Sequence, residues 1–137
     1  MVGFVTHIYS YQIGSGDLLH SFFSTVAHHL EGGKWGSRYP LLMNELYQGE
    51  LAAEHTAAAL EELADIKDKL KSLSPDKVIW DIDDLVKRPP WGDNISADIT
   101  DMSNYYVTSD GEDFITIFFN ALKKADELGK SLQITMM

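Results

Sequence analysis

Residues 2–30 read VGFVTHIYSYQIGSGDLLHSFFSTVAHHL, and the hydrophobic period changes inside them. The first twelve are rich in β-branched and aromatic types that alternate loosely. Val5, His7, Tyr9 and Tyr11 fall on one side and Phe4, Ile8 and Ser10 on the other, which predicts a strand. Gly14-Ser15-Gly16 breaks it, and Ser15 or Asp17 is placed to cap the free amides of a following helix. From Asp17 the period becomes helical. Leu18, Leu19, Phe22, Phe23, Val26, Ala27 and Leu30 form one apolar stripe. A strand followed by a helix that must bury a full face requires a sheet with helices packed on it.

The rest of the chain supplies the partners. Residues 31–38, EGGKWGSR, predict a Gly-rich turn around Trp35. Tyr39-Pro40 starts a short helix, with proline in the first turn where its missing amide is harmless, and Gly49 ends it. Leu51 to Leu73 predicts an amphipathic helix whose outer face is charged and whose order Asp65 before Lys69 is favourable. Ser74-Pro75-Asp76 stops that helix. Lys77 to Ile82 then alternates as a strand, with Val78, Trp80 and Ile82 on one face. Residues 88–101, RPPWGDNISADITD, carry too much Pro, Gly, Asn and Asp for regular structure and predict an ordered loop. Asn104 to Thr108 predicts a short strand. Ser109-Asp110-Gly111-Glu112 has capping-box spacing and opens a helix to about Leu128, with Gly129 as its C-terminal cap. Ser131 to Met136 alternates as a last strand.

Helices that run between separated strands point to an α+β fold. The expectation is a single domain over residues 1–137, with a small, mostly antiparallel sheet of about four strands packed against about four helices. Its 45% hydrophobic content is ample for one core.

Charge narrows the function classes. A net charge of −10 argues against a nucleic-acid backbone binder, which needs a basic face, and against an anionic membrane surface. The acidity is concentrated: residues 76–113 hold ten acids and three bases, a balance of −7. A field of that sign raises encounter rates with a basic partner. With no cysteine, thiol chemistry and disulfides are excluded. The N-terminus has no basic region followed by a long apolar run, so a cytoplasmic location is expected.

Catalytic motifs are weak throughout. Asp81, Asp83 and Asp84 offer carboxylates to a hard divalent ion, but no Gly-centred loop completes a cage and no histidine stands at ligand spacing. The five histidines lack the His-Glu-x-x-His arrangement. Gly14-Ser15-Gly16 lacks the lysine of a phosphate loop. No cofactor or metal is expected. The rows His20, Ser24, His28 and Ser21, Thr25, His29 on the first helix offer imidazoles and hydroxyls, and they define the alternative reading of a small hydrolase. Two turns, Trp35-Gly36-Ser37-Arg38 and Trp91-Gly92-Asp93-Asn94, each present a tryptophan, a residue enriched at interface hot spots. A non-catalytic adaptor would use the same turns.

The runs YQIGSGDLLHSFFSTVAHHLE (11–31), WGSRYPLLMNELYQGEL (35–51), PDKVIWDIDDL (75–85), PPWGDNIS (89–96) and NYYVTSDGEDF (104–114) together resemble the immunity protein 70 family of bacterial polymorphic toxin systems. The resemblance covers about residues 9–120. It implies a small cytosolic α+β protein that binds a cognate toxin domain and neutralises it by occlusion, without catalysis. It carries no site residues. The contact surface expected from the residues themselves is Asp81, Asp83, Asp84, Trp91, Asp93 and Trp35, with the Trp35 turn beside the 80–94 loop. Carboxylates about 6–7 Å apart repel by only roughly 0.6–0.7 kcal/mol in water, so gathering them against a basic partner is feasible.

Overall fold

A computed structural model describes residues 1–137. Its chain begins with a hairpin where the sequence predicts one strand. β1 (Val2–Thr6) pairs antiparallel with β2 (Tyr9–Gly14), and Thr6 faces Tyr9 across a two-residue loop. That turn lacks the usual Asn-Gly or Gly signal. It is made instead by His7 at φ 53°, a left-handed conformation that histidine tolerates better than β-branched residues do. The loosely alternating run therefore doubles back on itself.

α1 (Gly16–Leu30) follows, with the Ser15 hydroxyl accepting from the Leu18 amide at 3.1 Å. A π-type helical segment, Leu41–Leu46, replaces the expected short α-helix. Next come the two-residue strand β3 (Glu50–Leu51), a 3-10 turn and α2 (Thr56–Leu70). The helix expected from Leu51 thus gives up Leu51 to the sheet edge and residues 53–55 to the 3-10 turn. α3 (Phe114–Leu128) and β4 (Leu132–Met136) close the chain. The sheet order is β2-β1-β4-β3, with every pairing antiparallel. The α+β expectation holds.

Two expected strands are absent. Residues 78–82 form irregular chain, with a bend at Trp80 and a turn beginning at Ile82, and pair with no strand. Residues 104–108 contribute only an isolated bridge between Val107 and Asp113. The expected cap of α3 moves as well. Ser109 donates its amide to Ile13 O at 2.9 Å, and Asp113 caps the helix by accepting from the Thr116 amide at 3.1 Å. Gly129 ends α3 at φ 65°, as expected.

One continuous core of 28 buried residues joins these elements. Its centre is aromatic: Phe4 of β1 stacks on Phe118 of α3 at 4.6 Å, and Phe22 of α1 meets Phe114 edge-on at 4.9 Å. Such pairs add about 0.5–1.5 kcal/mol each beyond their burial. The molecule exposes 6889 Å², against about 7,000 Å² expected for a compact chain of this mass, so the long irregular stretch 71–113 lies packed against the core.

Candidate functional site

α1 positions the site, through the polar rows on its side. Residues 77–82 run along this helix, and its side chains take the place of a neighbouring strand. Ser21 Oγ donates to Ile79 O at 2.8 Å, Thr25 Oγ1 accepts from the Ile79 amide at 3.0 Å, and Ser24 Oγ accepts from the Ile82 amide at 3.2 Å. His29 Nε2 lies 2.7 Å from Lys77 O. Beneath them the Tyr106 hydroxyl is within 2.9 Å of Ser21 Oγ and 2.8 Å of Thr25 Oγ1. Ser21, Ser24, Thr25 and Tyr106 are buried, and every hydroxyl among them is satisfied. Burial pushes the Tyr106 phenol well above its ordinary range, so it stays protonated. Burial also lowers the His29 imidazole, although the Lys77 carbonyl works the other way.

This arrangement gives the two rows a structural role. Their hydroxyls are committed to backbone and to Tyr106, and none of the three surface cavities is lined by His20, Ser24 or His28. A catalytic constellation needs a concave site where its groups converge. Here the hydroxyls of Ser21, Ser24 and Thr25 meet the chain's own backbone at Ile79 and Ile82, while His20 turns to Tyr47 and Asp81.

The predicted contact residues divide into two clusters. In the first, His20 Nδ1 lies 2.6 Å from the Tyr47 hydroxyl and His20 Nε2 lies 3.3 Å from Asp81 Oδ1. Asp81 also accepts the Asp83 amide at 2.9 Å, and Lys87 Nζ lies 3.5 Å away. The Asp83 amide, helped by His20 and Lys87, holds the Asp81 carboxyl below its usual range despite desolvation. Trp35 belongs to this cluster. Its ring is half-buried, 6.1 Å from His20 and 5.0 Å from Tyr47, and its Nε1 donates to Met43 O at 2.6 Å. The Trp35 turn and the 80–94 stretch therefore meet at Asp81, through His20.

The second cluster lies beyond Trp80. Trp91 meets Trp80 edge-on at 5.4 Å, donates Nε1 to the Tyr105 hydroxyl at 2.9 Å and stays 38% exposed. Asp93 is exposed and pairs with Arg88 at 3.0 Å. Asp83 is exposed and Asp84 is half-buried.

His20, Tyr47, Trp80 and Tyr105 were missing from the sequence-derived set. The pairing of His20 with Asp81 spans 61 positions and has no periodic signature. It also replaces the Asp81, Asp83, Asp84 metal trio with His20, Asp81 and Asp83, whose ligand atoms lie within 4.8 Å of one another. To hold an ion, Asp81 would have to release bonds that pin the 81–84 turn.

Among known proteins, the family model of immunity protein 70 matches residues 4–134. No curated protein and no solved structure matches the chain. The family match runs from β1 to β4, so it includes α2 and the last strand as well as the acidic stretch along α1. A match of that extent places the chain in the immunity protein 70 family.

Proposed function

We propose that this protein binds a cognate toxin domain in the cytoplasm and blocks its active surface without catalysis. The observation that carries the reading is the family match over residues 4–134. The charge distribution supports a basic partner: six of the ten acids in residues 76–113, namely Asp76, Asp83, Asp93, Asp98, Asp110 and Glu112, are exposed. A nuclease toxin fits this field, because its substrate channel attracts phosphates and exposed carboxylates compete for the same lysines and arginines. Asp83 and the Arg88-paired Asp93 are the exposed carboxylates of the nominated surface and Trp91 its aromatic anchor. Asp81 and Asp84 shape the turn that presents them, and Trp35 supports it from behind through His20.

The reading is tested by co-purification with the toxin domain encoded beside this chain and by survival of cells producing that domain. Wild type is expected to form a complex and protect. The double variant Asp83→Lys, Asp93→Lys is expected to lose both. Full protection by a folded double variant would remove the acidic mechanism.

A further inference from the structure

Resting on the inhibitor reading, the inference concerns where on the acidic stretch the partner is gripped. Two grooves flank the 91–95 turn and share Ile95 and Tyr105 as a common wall. One, of about 300 Å³, is mainly apolar, with Leu18 and Ile99 along its inner side, Trp91 and Val107 at its rim, and Asn94 and Ser96 as its polar residues. Trp91 and Val107 are 38% and 44% exposed, which is unusual for two large apolar side chains facing one concavity. The polar atoms of its aromatic walls are turned onto each other, since the Trp91 indole donates to the Tyr105 hydroxyl. Apart from Asn94 and Ser96, what the groove offers a visitor is therefore hydrocarbon. The other groove, of about 310 Å³, is lined by Asp76 and Asp93.

We propose that the apolar groove receives an apolar side chain of the toxin domain, while Asp76, beside the Asp93–Arg88 pair in the adjoining groove, takes a lysine or arginine. Charge complementarity selects this occupant. Residues 76–113 carry −7, so a second copy of this chain would bring like charges together, whereas a basic toxin surface is attracted. An apolar anchor seated in a pocket and ringed by polar pairs is also the arrangement that concentrates binding energy at interfaces. The grip then centres on the 91–107 loop, and the Asp81–His20 turn acts as scaffold.

Binding of the toxin domain encoded beside this chain, measured by calorimetry, tests the assignment with two variants. Ser96 is exposed and lines the apolar groove, so Ser96→Trp plugs it without removing a core side chain. Val107→Ser removes an exposed rim residue and leaves the core intact. Both are expected to weaken binding by about tenfold or more, as loss of a central anchor does, with thermal melting unchanged for Val107→Ser. Asp76→Asn is expected to weaken binding several-fold and to flatten its salt dependence. If wild type binds and both groove variants bind equally well, the groove assignment is overturned and the inhibitor reading stands. If light scattering finds a dimer that Ser96→Trp dissociates, the occupant is a second copy and the assignment is overturned. If wild type binds no toxin domain, the inhibitor reading fails and the groove assignment with it.

Discussion

The connector between α1 and α2, residues 31–55, and the longer one between α2 and α3, residues 71–113, both carry carboxylates, and they use them differently. In the first, Glu31 is buried and accepts the amides of Gly36, Arg38 and Tyr39 at 2.9, 2.9 and 3.0 Å. Glu45 accepts the Ala52 amide at 2.8 Å and pairs with His55 at 2.9 Å. Glu62 of α2 reaches back to the Leu41 and Leu42 amides at 3.2 and 2.9 Å and so opens the π-type segment. Acids there replace the secondary structure the chain lacks. In the second connector neutral hydroxyls of α1 hold residues 79 and 82, the only amides that Asp81, Asp84 and Asp101 accept lie two residues on, and six of ten acids point to solvent. A carboxylate's role thus follows from whether orphan amides lie within its reach, and net charge alone cannot tell the two cases apart.

Removing an inward acid should show the largest effect. Glu31→Ala leaves three amides without their acceptor, two of them on the buried residues Gly36 and Tyr39. At roughly 1–3 kcal/mol for each buried donor left unpaired, it should lower unfolding stability in urea by about 3 kcal/mol or more. Glu31→Gln, which keeps an acceptor oxygen, should recover part of the loss. If Glu31→Ala unfolds at the wild-type midpoint, the carboxylate does not organise the turn.

The second connector should respond more mildly and locally. Thr25→Val removes the hydroxyl that serves the Ile79 amide and Tyr106, at a loss of about 1–3 kcal/mol. Proteolytic cleavage within 77–82 should accelerate beyond what global stability explains. Uniform acceleration along the chain would mean that α1 does not specifically hold this segment.

The Glu45–His55 pair links the first connector to pH. The Glu45 hydrogen bond raises the His55 imidazole above its ordinary value of about 6.5. Burial pushes Glu45 up, but the Ala52 amide and His55 outweigh it and leave the carboxyl below its usual range. A raised histidine stabilises fully below its unfolded pKa, and that contribution is lost as pH rises through the folded value. A depressed carboxyl stabilises above its unfolded pKa and loses that contribution as pH falls through the folded value. The pair therefore helps most between about pH 4.5 and 6.5. His55→Gln should lower the melting temperature near pH 5.5 and have less effect near pH 9. Imidazole proton shifts should place the His55 midpoint above 6.5, and a midpoint below it would break the pairing.

Changing outward acids should affect stability least. Asp83→Asn and Asp93→Asn are expected to stay within about 1 kcal/mol of wild type, since the Arg88–Asp93 pair is exposed and surface ion pairs contribute little. A larger loss in urea unfolding would mean that these carboxylates belong to the scaffold, as Glu31 does.

Much of the architecture was legible in the sequence. The apolar stripes of α1 and α3, the Ser15 cap and the left-handed Gly129 all rest on spacing within one or two helical turns, and local physics decides such features. The strands predicted over 77–82 and 104–108 failed for a shared reason. Alternating β-branched and aromatic residues state that a segment is extended, but the identity of its neighbour lies tens of positions away. For residues 77–82 that neighbour is a helix face of hydroxyls and imidazoles, whose polar rows suggested chemistry and turned out to serve docking.

By itself the sequence determined the fold class, the main helices and the concentration of charge in residues 76–113, because composition and periodicity are properties of neighbouring residues. Tertiary structure alone decided that Asp81 is tied to His20, that Trp35 is half-buried while the Trp91 edge stays open, and that Leu18 and Val107 face one groove. Those juxtapositions arise from long-range packing against the aromatic core, and no local pattern encodes them.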